Sequence, residues 1–171
     1  MLRLGTFTSN DFDTLISWID SKELLVTIAG TVFEYPLTHT QLQEYIDDKK
    51  SLAFTVIDDA NERTIGHAEI RLSGDGTCKL DKVLIGDKAD RGHGVGLELI
   101  NLLLDYSFTK LGVSLFELNV YDWNIAGRKC YEKAGFKINP EKKQLTKIGD
   151  INWEASNMII EKDRWSVRVN S

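Results

Sequence analysis

With 171 residues the chain has room for one ordinary domain with its own core. Apolar residues at 42% and charged residues at 27% exclude a disordered tail, and no apolar run is long enough to cross a membrane. Acidic residues outnumber basic ones, 26 to 21, so the net charge of -5 argues against a general nucleic-acid surface and suits a cationic ligand.

Leu2 to Phe7 reads as an opening strand. Thr8 and Asp11 then form a capping box, and Phe7 and Phe12 a hydrophobic staple, for a helix from about Ser9 to Ile19. A second helix opens with Thr38 and Gln41 as the box and Leu37 and Leu42 as the staple, and it ends near Asp47 to Lys50. Between the two, Ala29 to Thr31 and Tyr35-Pro36 read as loop. Three strands follow, Ala53 to Ile57, Thr64 to Leu72 and Thr77 to Ile85, separated by the turns at Asp58 to Asn61 and Ser73 to Gly76. In the middle strand Gly66, Ala68, Ile70 and Leu72 share one face, while Ile65, His67, Glu69 and Arg71 share a more polar one.

The longest expected helix runs from Gly94 to Leu111. Glu98, Asn101, Asp105 and Thr109 make one narrow polar stripe, so most of its circumference must be packed; Gly112 stops it. Leu115 to Val120 is a strand, and Asn124 caps a helix from Ile125 to Ala134 that ends at Gly135. Beyond Phe136 two or more strands are expected, broken at Pro140 to Lys143 and at Ile148 to Asp150; they either close the sheet or pair across a homodimer. The order predicts an α/β (α+β) fold, helices packed beside a mixed, mostly antiparallel sheet.

The sharpest motif is Arg91-Gly92-His93-Gly94-Val95-Gly96, a glycine-rich turn between a strand and the longest helix. Glycines let the backbone approach a ligand, and the unpaired amides and dipole of the helix start favour a phosphate or pyrophosphate, with Arg91 and His93 as added donors. Val95-Gly96-Leu97 lacks the Lys-Ser or Lys-Thr of a P-loop, and the glycines do not have dinucleotide-fold spacing. A purely structural turn is the alternative. The cysteines, Cys78 and Cys130, read as buried thiols, and with His67 and His93 they lack zinc spacing, so no metal is expected.

This turn resembles the Q/R-x-x-G-x-G/A signature of the GNAT family of N-acetyltransferases. The stretch from Leu118 to Phe136 is similar to the family's N-x-x-A-x-x-x-Y-x-x-x-G-F, with Asn124, Tyr131, Gly135 and Phe136 in place and Gly127 where alanine is usual. The opening, Leu2 to Asp11, resembles the ribosomal-protein and polyamine branch.

The resemblance implies a GNAT-like fold, with residues 1–171 as a single N-acetyltransferase domain and acetyl-CoA as cosubstrate. The amides of Arg91, Gly92, His93, Gly94, Val95 and Gly96 would hold the pyrophosphate, and Val83, Leu84 and Ile85 would pair with the pantetheine arm. Asn124 would contact the coenzyme or order water beside its capping role. Arg128 is either an exposed helix cation or a contact to the adenosine phosphate. Tyr131, two helical turns past Asn124, would protonate the departing sulfur; the plainer role is packing with Cys130 and Phe136.

Direct attack of an amine on a thioester needs a base. Glu69 is the first candidate and Asp81 the second, while His67 reads as structural. Phe33 and Tyr35 are candidates for an aromatic wall around the amine, with Glu34 as a counter-charge; Trp18 reads as packing. The acceptor expected is a small cationic amine, with a peptide N-terminus or a non-catalytic coenzyme A-binding module as alternatives. The chain has no signal-peptide core, so a cytoplasmic protein is expected, without nucleic acid or membrane as partner.

Overall fold

A computed structural model describes residues 1–169. Seven strands form one sheet: β1 (Leu2–Thr6), β2 (Ser51–Asp58), β3 (Arg63–Leu72), β4 (Thr77–Ile85), β5 (Leu115–Tyr121), β6 (Lys137–Ile148) and β7 (Ile151–Glu161). Their order is β1-β2-β3-β4-β5-β7-β6, antiparallel throughout except for the parallel pair β4–β5. The C-terminal strands thus close the sheet within the chain. Pro140 to Lys143 does not end a strand; it is an irregularity inside β6, where pairing with β7 lapses between Ile138 and Lys143.

The helices are α1 (Phe12–Trp18), α2 (Lys22–Ala29), α3 (His39–Asp47), α4 (Val95–Asp105), α5 (Ile125–Ala134) and α6 (Lys162–Val169). Thr8 and Asp11 form the expected capping box, on a short 3-10 turn before α1, and the Phe7 and Phe12 rings lie 5.7 Å apart. Helix α2 is the element that the loop reading missed. Its cap is Ser21, whose hydroxyl accepts from the Leu24 amide at 3.3 Å, and Gly30 ends it. Thr38 caps α3, but Gln41 does not complete the box: its side-chain oxygen accepts from the Glu34 amide and its nitrogen donates to the Glu34 and Pro36 carbonyls, pinning the loop before α3. The helical run after α4 widens into a π turn over Tyr106–Leu111 before Gly112 stops it.

Two cores flank the sheet. Leu99, Ile100, Leu103 and Leu104 of α4 pack with Phe54, Ile70, Leu80 and Phe116 on one face. Phe12, Leu25, Leu42 and Tyr45 of α1 to α3 pack on the other. Because both faces are covered, the polar face expected on β3 is buried: His67 and Glu69 are 1% and 0% exposed. Among the described residues no helix is long and apolar enough to cross a membrane.

Trp18 packs as expected, against the exit of β4. A Cβ at Gly86 would stand 2.0 Å from the Trp18 ring. Gly86→Ala is therefore expected to destabilise the fold by about 1–3 kcal/mol through overpacking, read as a lower thermal midpoint.

Candidate active site

Strand β4 carries the key irregularity. Its ladder with β3 pairs Glu69 with Asp81 and His67 with Leu84, so β4 has one residue more than β3 between those pairs. The bulged residue is Lys82, with a φ of 49, a left-handed conformation unusual for a non-glycine residue. The bulge breaks the alternation: Leu80 and Val83 pack into the α4 core, and Asp81 and Lys82 both line the cavity beneath α3 and the loop before it.

That cavity, about 540 Å³, is lined by Phe33 and Tyr45, by the acids Glu44, Asp48 and Asp81, and by Arg71, Lys79 and Lys82. The bases are paired. Lys82 meets Glu69 in a buried ion pair, and its ammonium lies 4.9 Å from the Tyr45 ring centroid. Arg71 bridges Asp48 at 2.9 Å, and Lys79 bridges Asp81 at 3.3 Å. Burial lifts the Asp81 carboxyl above the ordinary carboxylate value despite Lys79, so desolvation outweighs the ion pair. Glu69 has no open side: one oxygen meets Lys82, the other the Ser51 hydroxyl, and Arg71 stands 3.7 Å away. Of this cross-strand pair of carboxylates, it is Asp81 that lines the cavity. His67 lies 3.1 Å from the Tyr45 hydroxyl, and burial, then Lys82, pushes it down to about 3. It is a neutral imidazole at physiological pH and too weak to serve as a base.

Strands β4 and β5 pair only from Thr77 to Leu80 against Leu115 to Leu118, then part. The wedge between them is lined by Asp81, Lys82, Val83, Asn119, Asn124 and Tyr131, and so adjoins the larger cavity through Asp81 and Lys82. Asn124 caps α5 by accepting from the Gly127 amide at 3.0 Å. A Cβ at Gly127 would come within 2.8 Å of that asparagine's amide, which is why glycine fits here. The cap and Tyr131 thus border one cleft, as their two-turn spacing predicts. Tyr131 also packs, its ring centroid 6.0 Å from that of Phe136, but its hydroxyl has no hydrogen-bond partner among the described residues. Burial, reinforced by Cys130 and Asp81, raises that phenol well above its usual value. Val83, Leu84 and Ile85 continue β4 along the wedge, with Leu84 and Ile85 still paired to β3.

The glycine-rich turn sits where β4 meets α4. Gly92 and Gly94 have φ of 86 and 83, and a Cβ at either would meet nothing within 4 Å, so the backbone lies open to a ligand. No side chain caps α4; its first intrahelical amide there is that of Glu98, leaving those of Val95, Gly96 and Leu97 unpaired within the helix. The geometry fits a diphosphate. The Arg91 side chain turns the other way: Nε and Nη2 donate to the carbonyls of Ile85 and Gly86 at 2.9 and 2.7 Å, bracing the turn from behind. His93 is exposed. Arg128 pairs with Glu132 at 3.4 Å along α5. Cys78 is buried and Cys130 only half-buried, both free thiols. Among the described residues no cluster of His, Cys, Asp or Glu could hold a metal.

A match to the Acetyltransferase (GNAT) domain family covers residues 1–137. The chain belongs to that family. The probable N-acetyltransferase YjcK of Bacillus subtilis (strain 168) is 29% identical over 118 residues, 67% of this chain and 64% of its own length. The N-acetyltransferase 9-like protein of Nematostella vectensis is 24% identical over 130 residues, 70% and 66% of the two chains. Both matches thus span just under two thirds of the relatives' length. The crystal structure of spermidine N-acetyltransferase from Vibrio cholerae in complex with CoA and spermine shares the fold, with a TM-score of 0.81 at 22% identity over 96% of this chain and 98% of that one.

In this GNAT chain the sequence reading located the glycine-rich turn before α4 and the Asn124–Tyr131 pair on one cleft. It did not find Lys82, Tyr45, Glu44, Asp48 or Arg71. Tyr45 carries a faint signal, three residues past Leu42 on the buried side of α3. It lines the cavity beside Asp81, whereas Tyr35, expected as part of an aromatic wall, faces a separate groove with Glu34, Lys22 and Lys147. Phe33 lines both.

Proposed function

We propose that residues 1–171 form one acetyl-CoA-dependent N-acetyltransferase domain that acetylates a primary amine of a small cationic acceptor by direct attack on the thioester. The observation that carries this reading is the joining of two spaces at Asp81 and Lys82: the wedge between β4 and β5, closed by Tyr131, and the aromatic and acidic cavity under α3. The coenzyme supplies the activated acyl thioester. The amides from Gly92 to Gly96 bind its diphosphate, the exposed edge of Val83 to Ile85 orients its arm, and Asn124 borders its reactive end.

Asp81, made more basic by burial, accepts the proton that the ammonium must lose. Tyr131, whose raised phenol keeps its proton through the physiological range, gives one to the leaving sulfur. Glu69 acts behind them by holding Lys82 in the bulge. Phe33 and Tyr45 cover the acceptor's alkyl part, and Glu44 and Asp48 face its further charges. Spermine in the complex of the Vibrio cholerae relative supports a polyamine-like acceptor. That reading also favours a cytoplasmic enzyme.

The test is turnover of acetyl-CoA against di- and polyamines, aminoglycosides and peptides with free N-termini. Coenzyme binding without turnover of any amine returns the chain to a binding module, and turnover of peptides alone removes the small-amine reading. The pH profile tests Asp81 separately. Asp81 works only when ionised, so activity is present above its pKa and lost as pH falls through it, at a higher pH than for an ordinary carboxylate. Asp81→Asn is expected to remove that acid limb and lower kcat/KM on the order of tenfold, less than a usual general-base effect because water reaches the open cavity.

A further inference from the structure

The 3-10 turn Lys88–Asp90 leads directly into the glycines, and it brings two carboxylates, Asp87 and Asp90, to the threshold of an anion site. Carboxylates there oppose a diphosphate. Both are met by one residue, the first of β3, which lies beside the exit of β4. Arg63 Nη1 donates to Asp87 at 3.0 Å and to Asp90 at 2.9 Å, and Nη2 donates to the second Asp90 oxygen at 2.6 Å. The fork on Asp90 is bidentate, the arginine geometry with the strongest orientation. It holds the Asp90 carboxyl below its ordinary value. Arg91, the natural donor by sequence, spends its side chain on the carbonyls of Ile85 and Gly86. The connection between β4 and α4 is thus braced by two arginines, and Arg63 alone among the two cancels acid charge.

We propose that Arg63 is a positioning residue for coenzyme binding: it acts through Asp87 and Asp90, neutralising the acid charge they would otherwise set against a diphosphate at the neighbouring amides. The proposal rests on the coenzyme reading above and adds a residue outside the family motif. A mere brace and a charge shield respond differently when the acids are removed. If Arg63 only braces, cutting its ion pairs from either side weakens binding. If it shields, removing the acids helps.

The experiment is titration calorimetry with coenzyme A on the full chain and on R63Q, D87N/D90N and R63Q/D87N/D90N, with acetylation kinetics and thermal midpoints alongside. R63Q is expected to weaken coenzyme binding on the order of tenfold, with kcat at saturating acetyl-CoA and KM for the amine unchanged. The loss should shrink as salt is raised. D87N/D90N should bind coenzyme at least as tightly as the unaltered chain, and the triple variant should recover most of the R63Q loss. The triple variant, with three neutral amides, also keeps the test alive should R63Q fold poorly. Unchanged affinity in R63Q, or a loss in D87N/D90N matching that of R63Q, overturns the proposal while leaving the coenzyme reading intact. An unaltered chain that does not bind coenzyme A overturns both.

Discussion

Tyr131→Phe is expected to lower kcat by about 100- to 1000-fold, the usual scale for removing a general acid. The coenzyme dissociation constant should stay unchanged. The substitution keeps the ring and its packing against Phe136, so stability should hold within about 0.5 kcal/mol. What it removes is a hydroxyl that has no partner among the described residues and that borders the wedge with Asp81 and Asn124. With no protein partner to hold it, that hydroxyl is free to donate to an atom that enters the wedge. Steady-state kinetics beside calorimetric binding separate the two effects. Full activity in the variant across the pH range would remove the acid role and leave Tyr131 as a packing residue.

The second large effect is on stability. Glu69→Ala is expected to cost about 3–5 kcal/mol, because it leaves the Lys82 ammonium buried without its counter-charge. For a chain of this size that corresponds to a fall in Tm of roughly 10 °C or more. Lys82 lies over the Tyr45 ring, but a cation–π contact of about 0.5–2 kcal/mol cannot replace the carboxylate. Glu69→Leu combined with Lys82→Met should recover most of the stability, since apolar replacement of a buried ion pair is often neutral or favourable. The combined variant also asks whether the pair is needed for catalysis. A folded double variant with normal turnover would limit Glu69 and Lys82 to structure; a folded but slow one would show that the bulge beside Asp81 must hold a cation. Thermal unfolding of the three proteins, with kinetics on the folded ones, supplies both answers.

Lys82 also shows why part of the site could not be read in advance. Alternation along Thr77 to Ile85 assigns Asp81 and Lys82 to opposite faces. The bulge puts both on the cavity, and nothing local announces it, since a left-handed lysine has no sequence signal. Glu69 is similar. Its neighbours His67 and Arg71 suggest a wet face, yet α1 to α3 and the loop pinned by Gln41 cover that face and leave the glutamate only Lys82, Ser51 and Arg71. Helix α2 is only eight residues long, and its Ser21 cap lacks the capping box and staple that mark a helix start in sequence.

By itself the sequence determined the features that rest on neighbours along the chain. Caps at Thr8, Thr38 and Asn124, stops at Gly112 and Gly135, the strand meander and the glycine turn before α4 all follow from hydrogen-bond chemistry within a few residues. The tertiary structure decided what depends on partners far apart in sequence. It inserted β7 between β5 and β6, buried Glu69 against Lys82, turned Asp81 toward an open cavity and set Arg63 on the acids before the glycine-rich turn. The physical reason is that burial fixes which charges must pair and which remain basic, and burial exists only once the helices have closed over the sheet.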